Sequence, residues 1–165
     1  MARLPVLVYP DERLKRISNP VTEFNQELRD FIADLEETLR AFPGCVGLAA
    51  PQVDRLQRIV IVDVSSKPDI PHHGRLILVN PEITERQDEA VGREGCLSVP
   101  DYTGNVARAG RIRLRAQDAD GTMREFECEG YEARAVQHEI DHLDGLLFLD
   151  RLVNRRDLFR RKKYK

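Results

Sequence analysis

At 165 residues, with 33% charged and 41% hydrophobic side chains, the chain has the balance of a single globular domain, long enough for a real core and too short for two. Its 26 basic and 28 acidic side chains nearly cancel, which argues against a general polyanion binder and against DNA as a partner. No apolar run reaches membrane-spanning length, and Met1-Ala2-Arg3-Leu4-Pro5 lacks a signal-peptide core; the odd, widely spaced Cys45, Cys96 and Cys128 suggest no disulfide framework, so the cytoplasm is the expected compartment.

Phe24, Leu28, Phe31, Ile32, Leu35 and Leu39 recur at helical spacing, with Thr22 as the candidate cap and Pro43-Gly44 as the stop. They predict an amphipathic helix of roughly five turns. Short β-branched segments follow at Arg58 to Val64, Leu76 to Val79 and Ile112 to Ala116, separated by Pro, Gly and Asp clusters. Ser65 to Gly74 reads as a surface loop whose pair His72-His73 is expected to be solvated. Asp118-Ala119-Asp120-Gly121 is a turn signal, Thr122 to Cys128 a return strand, and Tyr131 to Leu143 a second helix stopped near Gly145. Strands do not alternate regularly with helices. The expectation is therefore an α+β fold, with mainly antiparallel or mixed sheets packed around the second helix, in one domain over residues 1–165. From about residue 155 the chain turns basic, through Arg155-Arg156, Arg160-Arg161-Lys162-Lys163 and Lys165, which reads as a solvated, frayed end.

The second helix carries Gln137-His138-Glu139-Ile140-Asp141-His142, an H-E-x-x-H pattern. Residues four apart on a helix lie within about 40° of each other, so His138 and His142 can grip one ion while Glu139 stays beside it as a base. Alone, the pattern also fits a solvent-facing polar stripe; apolar neighbours Val136, Ile140 and Leu143 place it on or beside the buried side, where unpaired imidazoles would be costly. Asp141 and Asp144 are candidate supporting carboxylates, at least one of them reading as surface charge. A catalytic zinc-type site wants three protein ligands and an open position for water. With no further His at the extended metzincin spacing, Cys96 in Glu94-Gly95-Cys96-Leu97-Ser98 is the remaining candidate, its alternative being a small buried hydrophobe. A thiolate would favour iron(II), zinc, cobalt or nickel over magnesium or calcium.

Three segments, Cys45-Val46-Gly47-Leu48-Ala49-Ala50-Pro51-Gln52, Glu94-Gly95-Cys96-Leu97-Ser98 and Gln137 to His142, resemble the three motifs of peptide deformylases in order and spacing. The likeness runs over nearly the whole chain, including Tyr9-Pro10-Asp11, Asn80-Pro81 and Leu146 to Arg151. The resemblance implies a metal-dependent hydrolase that removes the N-formyl group from the initiator methionine of nascent polypeptides, releasing formate. It makes Cys96, His138 and His142 the ligands of one divalent ion, with ferrous iron in the cell and Zn2+, Ni2+ or Co2+ as substitutes. Glu139 becomes the general acid/base, and the Gln52 side-chain amide and Leu97 backbone N–H become donors to the formyl oxygen. Without the other motifs Gln52 would read as a turn residue after Pro51. Val46 and Gly47 would lie along an extended substrate, with Gly95 opposite; Val46, Tyr131 and Ala135 would wall the methionine pocket. Glu94 would brace the site through an ion pair with Arg108, the plain alternative being two surface charges. Arg134 would point away from the pocket.

The chain departs from the family pattern at Cys45, where a glycine is usual, and at Tyr102 to Ala107, which replaces a segment often holding another Arg and a Pro. Gly44 is expected to absorb the bend that the missing glycine would otherwise make. The basic end offers a weak electrostatic contact with ribosomal RNA. Three rivals stand beside this reading: an H-E-x-x-H peptidase, a deacylase for another small N-acyl group, and a ribosome-associated binding protein with a structural metal.

Overall fold

A computed structural model describes residues 3–161. Helix α1 (Gln26–Arg40) is followed by strands β1 (Gly47–Ala49), β2 (Ile59–Asp63), β3 (Arg75–Cys96), β4 (Val99–Gln117) and β5 (Met123–Glu129), then helix α2 (Gly130–Leu143) and strand β6 (Leu158–Arg160). The sheet is antiparallel in the order β1-β2-β3-β4-β5, with β6 added to the far end of β4 through Tyr102, Thr103 and Gly104. It is the α+β architecture expected.

Strand β2 shows how the layers form. Every residue of Ile59-Val60-Ile61-Val62 is buried, because successive side chains alternate between two cores. Ile59 and Ile61 pack with Leu28, Phe31, Ile32, Leu35 and Leu39 of α1. Val60 and Val62 pack with Val136, Ile140 and Leu143 of α2. A third core, of Leu14, Cys96, Val99, Val106, Leu147 and Phe148, fills the space under the distal end of the β3–β4 hairpin.

Several boundaries differ from expectation. Helix α1 is capped by Asn25, whose side chain accepts the Leu28 N–H at 3.0 Å, rather than by Thr22. The short strand expected at Leu76 to Val79 is the start of a 22-residue β3, and that at Ile112 to Ala116 lies within a 19-residue β4. Asn80-Pro81 is an irregularity inside β3 rather than a turn that ends it. Asn80 takes φ 51°, and its side chain bonds Val21 and Gln117. The basic C-terminal segment is not frayed over the described residues. Arg155–Asp157 form a 3₁₀ turn, Leu158–Arg160 form β6, and the Arg161 N–H donates to Asp101 O. The remaining basic residues, Lys162, Lys163 and Lys165, lie outside the described residues.

Candidate metal centre and active site

The first motif is held at the sheet edge. Gly44 takes the left-handed conformation at φ 89° while Cys45 does not, so the bend falls on the glycine and the cysteine is accommodated. Val46, half-buried, packs on the core that contains Ala135, and among the described residues β1 pairs only with β2, which leaves its other edge without a strand partner there. Gly47 has a steric reason to be glycine: a Cβ there would stand 2.6 Å from Glu139 Oε2. The 3₁₀ turn Ala50–Val53 then buries Gln52. Ala49 N–H donates to Gln52 Oε1 at 2.9 Å, which turns the amide NH2 toward Ser98 Oγ at 3.0 Å and Cys96 Sγ at 3.6 Å. The N-terminal segment ties this motif to the second, since Leu7 N–H donates to Gln52 O and Tyr9 N–H to Ser98 O.

Cys96 ends β3, and the two-residue turn Leu97-Ser98 leads into β4 with Cys96 facing Val99. The expected bent ligand loop is therefore the tip of a long hairpin, which holds the thiol on two ordered strands. Gly95 is exposed, and a side chain there would run into the Arg161 guanidinium.

Helix α2 brings the third motif against that tip. Cys96 Sγ lies 3.4 Å from His142 Nε2, and the ligand atoms of Cys96, His138 and His142 all fall within 4.8 Å of one another. The imidazoles meet edge to face with centroids 5.2 Å apart. Burial pushes His142 well below its ordinary pKa, helped by the charge on His138. Burial also opposes protonation of His138, but hydrogen bonds with Cys96 and Glu94 and the charge of Glu139 hold it above its ordinary value. Two adjacent buried imidazoles and a thiol suit one soft divalent cation better than they suit two protons. Beside them Glu139 is buried, its Oε1 has no hydrogen-bond partner among the described residues, and burial raises its carboxyl to about 7.

A charged network orients these groups. Glu94 Oε1 accepts from His138 Nδ1 at 2.8 Å, and Arg108 grips Glu94 through Nε at 2.8 Å and a terminal nitrogen at 3.0 Å. Burial pushes the Glu94 carboxyl up, but the hydrogen bonds of His138 and Arg108 hold it well below the usual range. Arg108 and Glu94 are thus a buried pair rather than two surface charges.

A family model described as polypeptide deformylase matches residues 3–157. The chain belongs to the polypeptide deformylase family. Among solved structures it is similar to the peptide deformylase of Legionella pneumophila, at 39% identity and TM-score 0.84 over 92% of this chain and 86% of that one. The Thermotoga maritima enzyme matches at 38% identity and TM-score 0.86, over 93% of this chain and 100% of that one. A class I type b enzyme from Acinetobacter baumannii, solved with Met-Ala-Ser bound, matches at 37% identity and TM-score 0.85, over 92% and 100%. Membership of the deformylase family carries the reaction: metal-dependent hydrolysis of the N-formyl group of nascent formyl-methionyl peptides, a step of protein biosynthesis. Among the described residues no helix is long and apolar enough to cross a membrane.

One member of the deformylase network, Arg134, was not assigned to it from sequence, and another, Asp141, was offered only as an alternative to Asp144. Arg134 donates to Glu94 at 2.8 Å and to the carbonyls of Val106 and Ala90, so it is a third cationic or imidazole partner of that carboxylate. Asp141, one of the two candidate supporting carboxylates, accepts from Arg108 at 2.6 Å and from Arg151, whereas Asp144 is exposed and pairs with Arg58. The signal available for Asp141 was its place one residue before His142 on a helix that buries nearly every position; for Arg134 there was none, since its partner lies 40 residues away. Tyr131 is half-exposed at the start of the helix, one turn from Ala135, and burial raises its hydroxyl, with Glu94 and Cys45 adding to the shift.

Proposed function

We propose that Cys96, His138 and His142 hold a single divalent metal ion and that Glu139 is the general acid/base for hydrolysis of the formyl amide. The convergence of the three ligand atoms within 4.8 Å, beside a buried Glu139 oxygen without a hydrogen-bond partner among the described residues, carries this reading. When bound, the ion supplies Lewis acidity, polarising water and the formyl carbonyl. Glu139 takes a proton from the attacking water and returns it to the amine nitrogen as the C–N bond breaks, leaving formate and a free N-terminus. A carboxyl near pKa 7 is suited to both halves of that exchange. Gln52, its amide already turned toward Cys96, and the Leu97 backbone N–H stabilise the charge growing on the formyl oxygen, each worth on the order of 3 kcal/mol. Glu94, backed by Arg108, fixes the His138 ring.

The free edge of β1 at Val46 and Gly47 receives the substrate backbone as an added strand, with Gly95 across from it, and Val46, Tyr131 and Ala135 line the methionine side chain. The bound Met-Ala-Ser of the Acinetobacter enzyme supports a site for a methionyl peptide of this kind. We assign ferrous iron as the cellular ion, with Zn2+, Ni2+ or Co2+ able to replace it; metal analysis of anaerobically purified protein showing only zinc would overturn that choice. Nascent substrates imply work in the cytoplasm, and exposed Arg155, Arg156 and Arg160 support a weak ribosome contact. Because β6 belongs to the sheet, that contact is tested by Arg155→Glu/Arg156→Glu rather than by truncation; unchanged salt-sensitive ribosome binding refutes it.

The catalytic reading is tested by formate release from formyl-Met-Ala, with acetyl-Met-Ala alongside, for the wild type and Glu139→Ala. The expected result is a loss of about 10²–10⁴-fold in kcat with metal content retained. Equal rates for the two proteins would remove Glu139 from the chemistry, and comparable turnover of the acetyl peptide would favour a broader deacylase.

A further inference from the structure

At the opposite end of α2, about 9 Å along the helix axis from His138 by the rise per residue, a second set of metal-ligating side chains converges. Glu132, in the first turn, is 1% exposed, yet it is a carboxylate. Both its oxygens face His73 of the loop between β2 and β3. One lies 2.6 Å from His73 Nδ1 and the other accepts the His73 backbone N–H at 2.7 Å. Cys128, buried on β5, places its Sγ 4.0 Å from the same His73 nitrogen. His73 is exposed, as expected of its loop, but its ring is held by Glu132 and meets Phe126 edge to face at 5.7 Å.

We propose that His73, Cys128 and Glu132 form a second, zinc-type divalent metal site, clasping the β2–β3 loop to the start of α2. The three ligand atoms lie within 4.8 Å of one another. Donors around a tetrahedral ion with bonds of about 2.0–2.3 Å stand roughly 3.3–3.8 Å apart, so small side-chain rotations suffice. A thiolate and a carboxylate together neutralise a dication, and sulfur with imidazole selects zinc or cobalt over magnesium and calcium. Metal binding displaces the Cys128 thiol proton and any proton shared between His73 and Glu132, both going to solvent. His73 and Glu132 line a cavity of about 370 Å³, which gives an ion a route to these two donors, with Cys128 behind them. Glu127 and Glu129 at the same cavity add negative charge, partly offset by Arg111. Burial and the neighbouring Glu132 carboxylate push the Cys128 thiol well up, so without a cation this pocket holds a neutral thiol against a carboxylate. The site shares no ligand with the Cys96 centre and does not depend on it.

The test is Co2+ titration of metal-free full-length protein, following bound equivalents and the thiolate-to-cobalt absorption band. Wild type is expected to take two equivalents, and His73→Ala and Cys128→Ala one each. Cys96→Ala is expected to keep a thiolate band that His73→Ala, combined with it, removes. His73 is on an exposed loop, so its variant reports on the site even if Cys128→Ala folds poorly. Saturation of the wild type at one equivalent that His73→Ala leaves unchanged would overturn the proposal, as would two equivalents persisting in His73→Ala. A Cys96→Ala band that disappears with Cys45→Ser instead would do the same.

Discussion

Helices α1 and α2 are nearly equal in length, 15 and 14 residues, and they bury different kinds of surface. Helix α1 hides one apolar stripe, Leu28, Phe31, Ile32, Leu35 and Leu39, and its one buried polar side chain, Thr38, bonds Asp34 O in the preceding turn and the Leu4 N–H. Helix α2 hides Glu132, Gln137, His138, Glu139, Asp141 and His142 among its apolar residues. Burying polar groups without partners would be costly, so each needs an explanation. Gln137 clips the helix to β4 by exchanging hydrogen bonds with Ala109, Asp141 pairs with Arg108 and Arg151, and Glu132 turns to His73. Among the described residues, Glu139 Oε1 and His142 Nδ1 are the buried side-chain atoms of α2 left without a partner. The deficit sits at the proposed metal centre and its candidate base. One helix is kept in place by surface area and the other by addressed polar contacts.

That contrast breaks first at Arg108. Arg108→Ala leaves Glu94 and Asp141 buried with less compensation, and a loss of about 3–5 kcal/mol in denaturant unfolding is expected. Adding Asp141→Asn should restore part of the loss by removing one of the stranded charges. On α1 the corresponding deletion is Leu35→Ala, at a fully buried position, with an expected loss of about 3 kcal/mol from transfer and cavity terms. No second-site charge change should help it. If Arg108→Ala unfolds no more easily than wild type while Leu35→Ala does, α2 is held by apolar packing like α1, and the distinction fails.

The two helices also differ in how far the sequence revealed them. Period and stop signals located both, and the H-E-x-x-H spacing marked the candidate ligand face of α2, because those signals are local. The partners of that face were less visible. Arg134 and Glu94 meet across 40 residues, and Arg151 reaches Asp141 only after the chain has left the helix. The length of the β3–β4 hairpin was hidden for another reason. From Glu85 to Val91 both faces of β3 are exposed, so no apolar alternation marks it as strand, and Asn80 and Asp88 at positive φ resemble turn residues. Strand β6 was obscured by its charge. A basic run reads as solvated, yet its backbone pairs with Tyr102-Thr103-Gly104, within the segment that departs from the usual family pattern. His73 is exposed as its loop position suggests, and its contact with Glu132 could not be read from the sequence because the two lie 59 residues apart.

The smallest effect separates two candidate caps for α1. Thr22 and Asn25 both carry a side-chain acceptor ahead of Leu28, and the sequence reading named only Thr22. In the structure Asn25 has extended backbone, φ −118° and ψ −176°, and its oxygen satisfies the Leu28 N–H, one of the amides the first turn cannot bond internally. Asn25→Ala should therefore cost about 1 kcal/mol, a fall of roughly 2–4 °C in Tm for a domain of this size. Thr22→Ala should leave Tm within error, and Asn25→Ser or Asn25→Asp should keep most of the stability, since either oxygen can accept the same bond. The reverse pattern, loss at Thr22 and none at Asn25, would extend α1 by a turn toward its N-terminus. Phe24 would then belong to the helix and to its apolar stripe, as the spacing of hydrophobic residues first suggested.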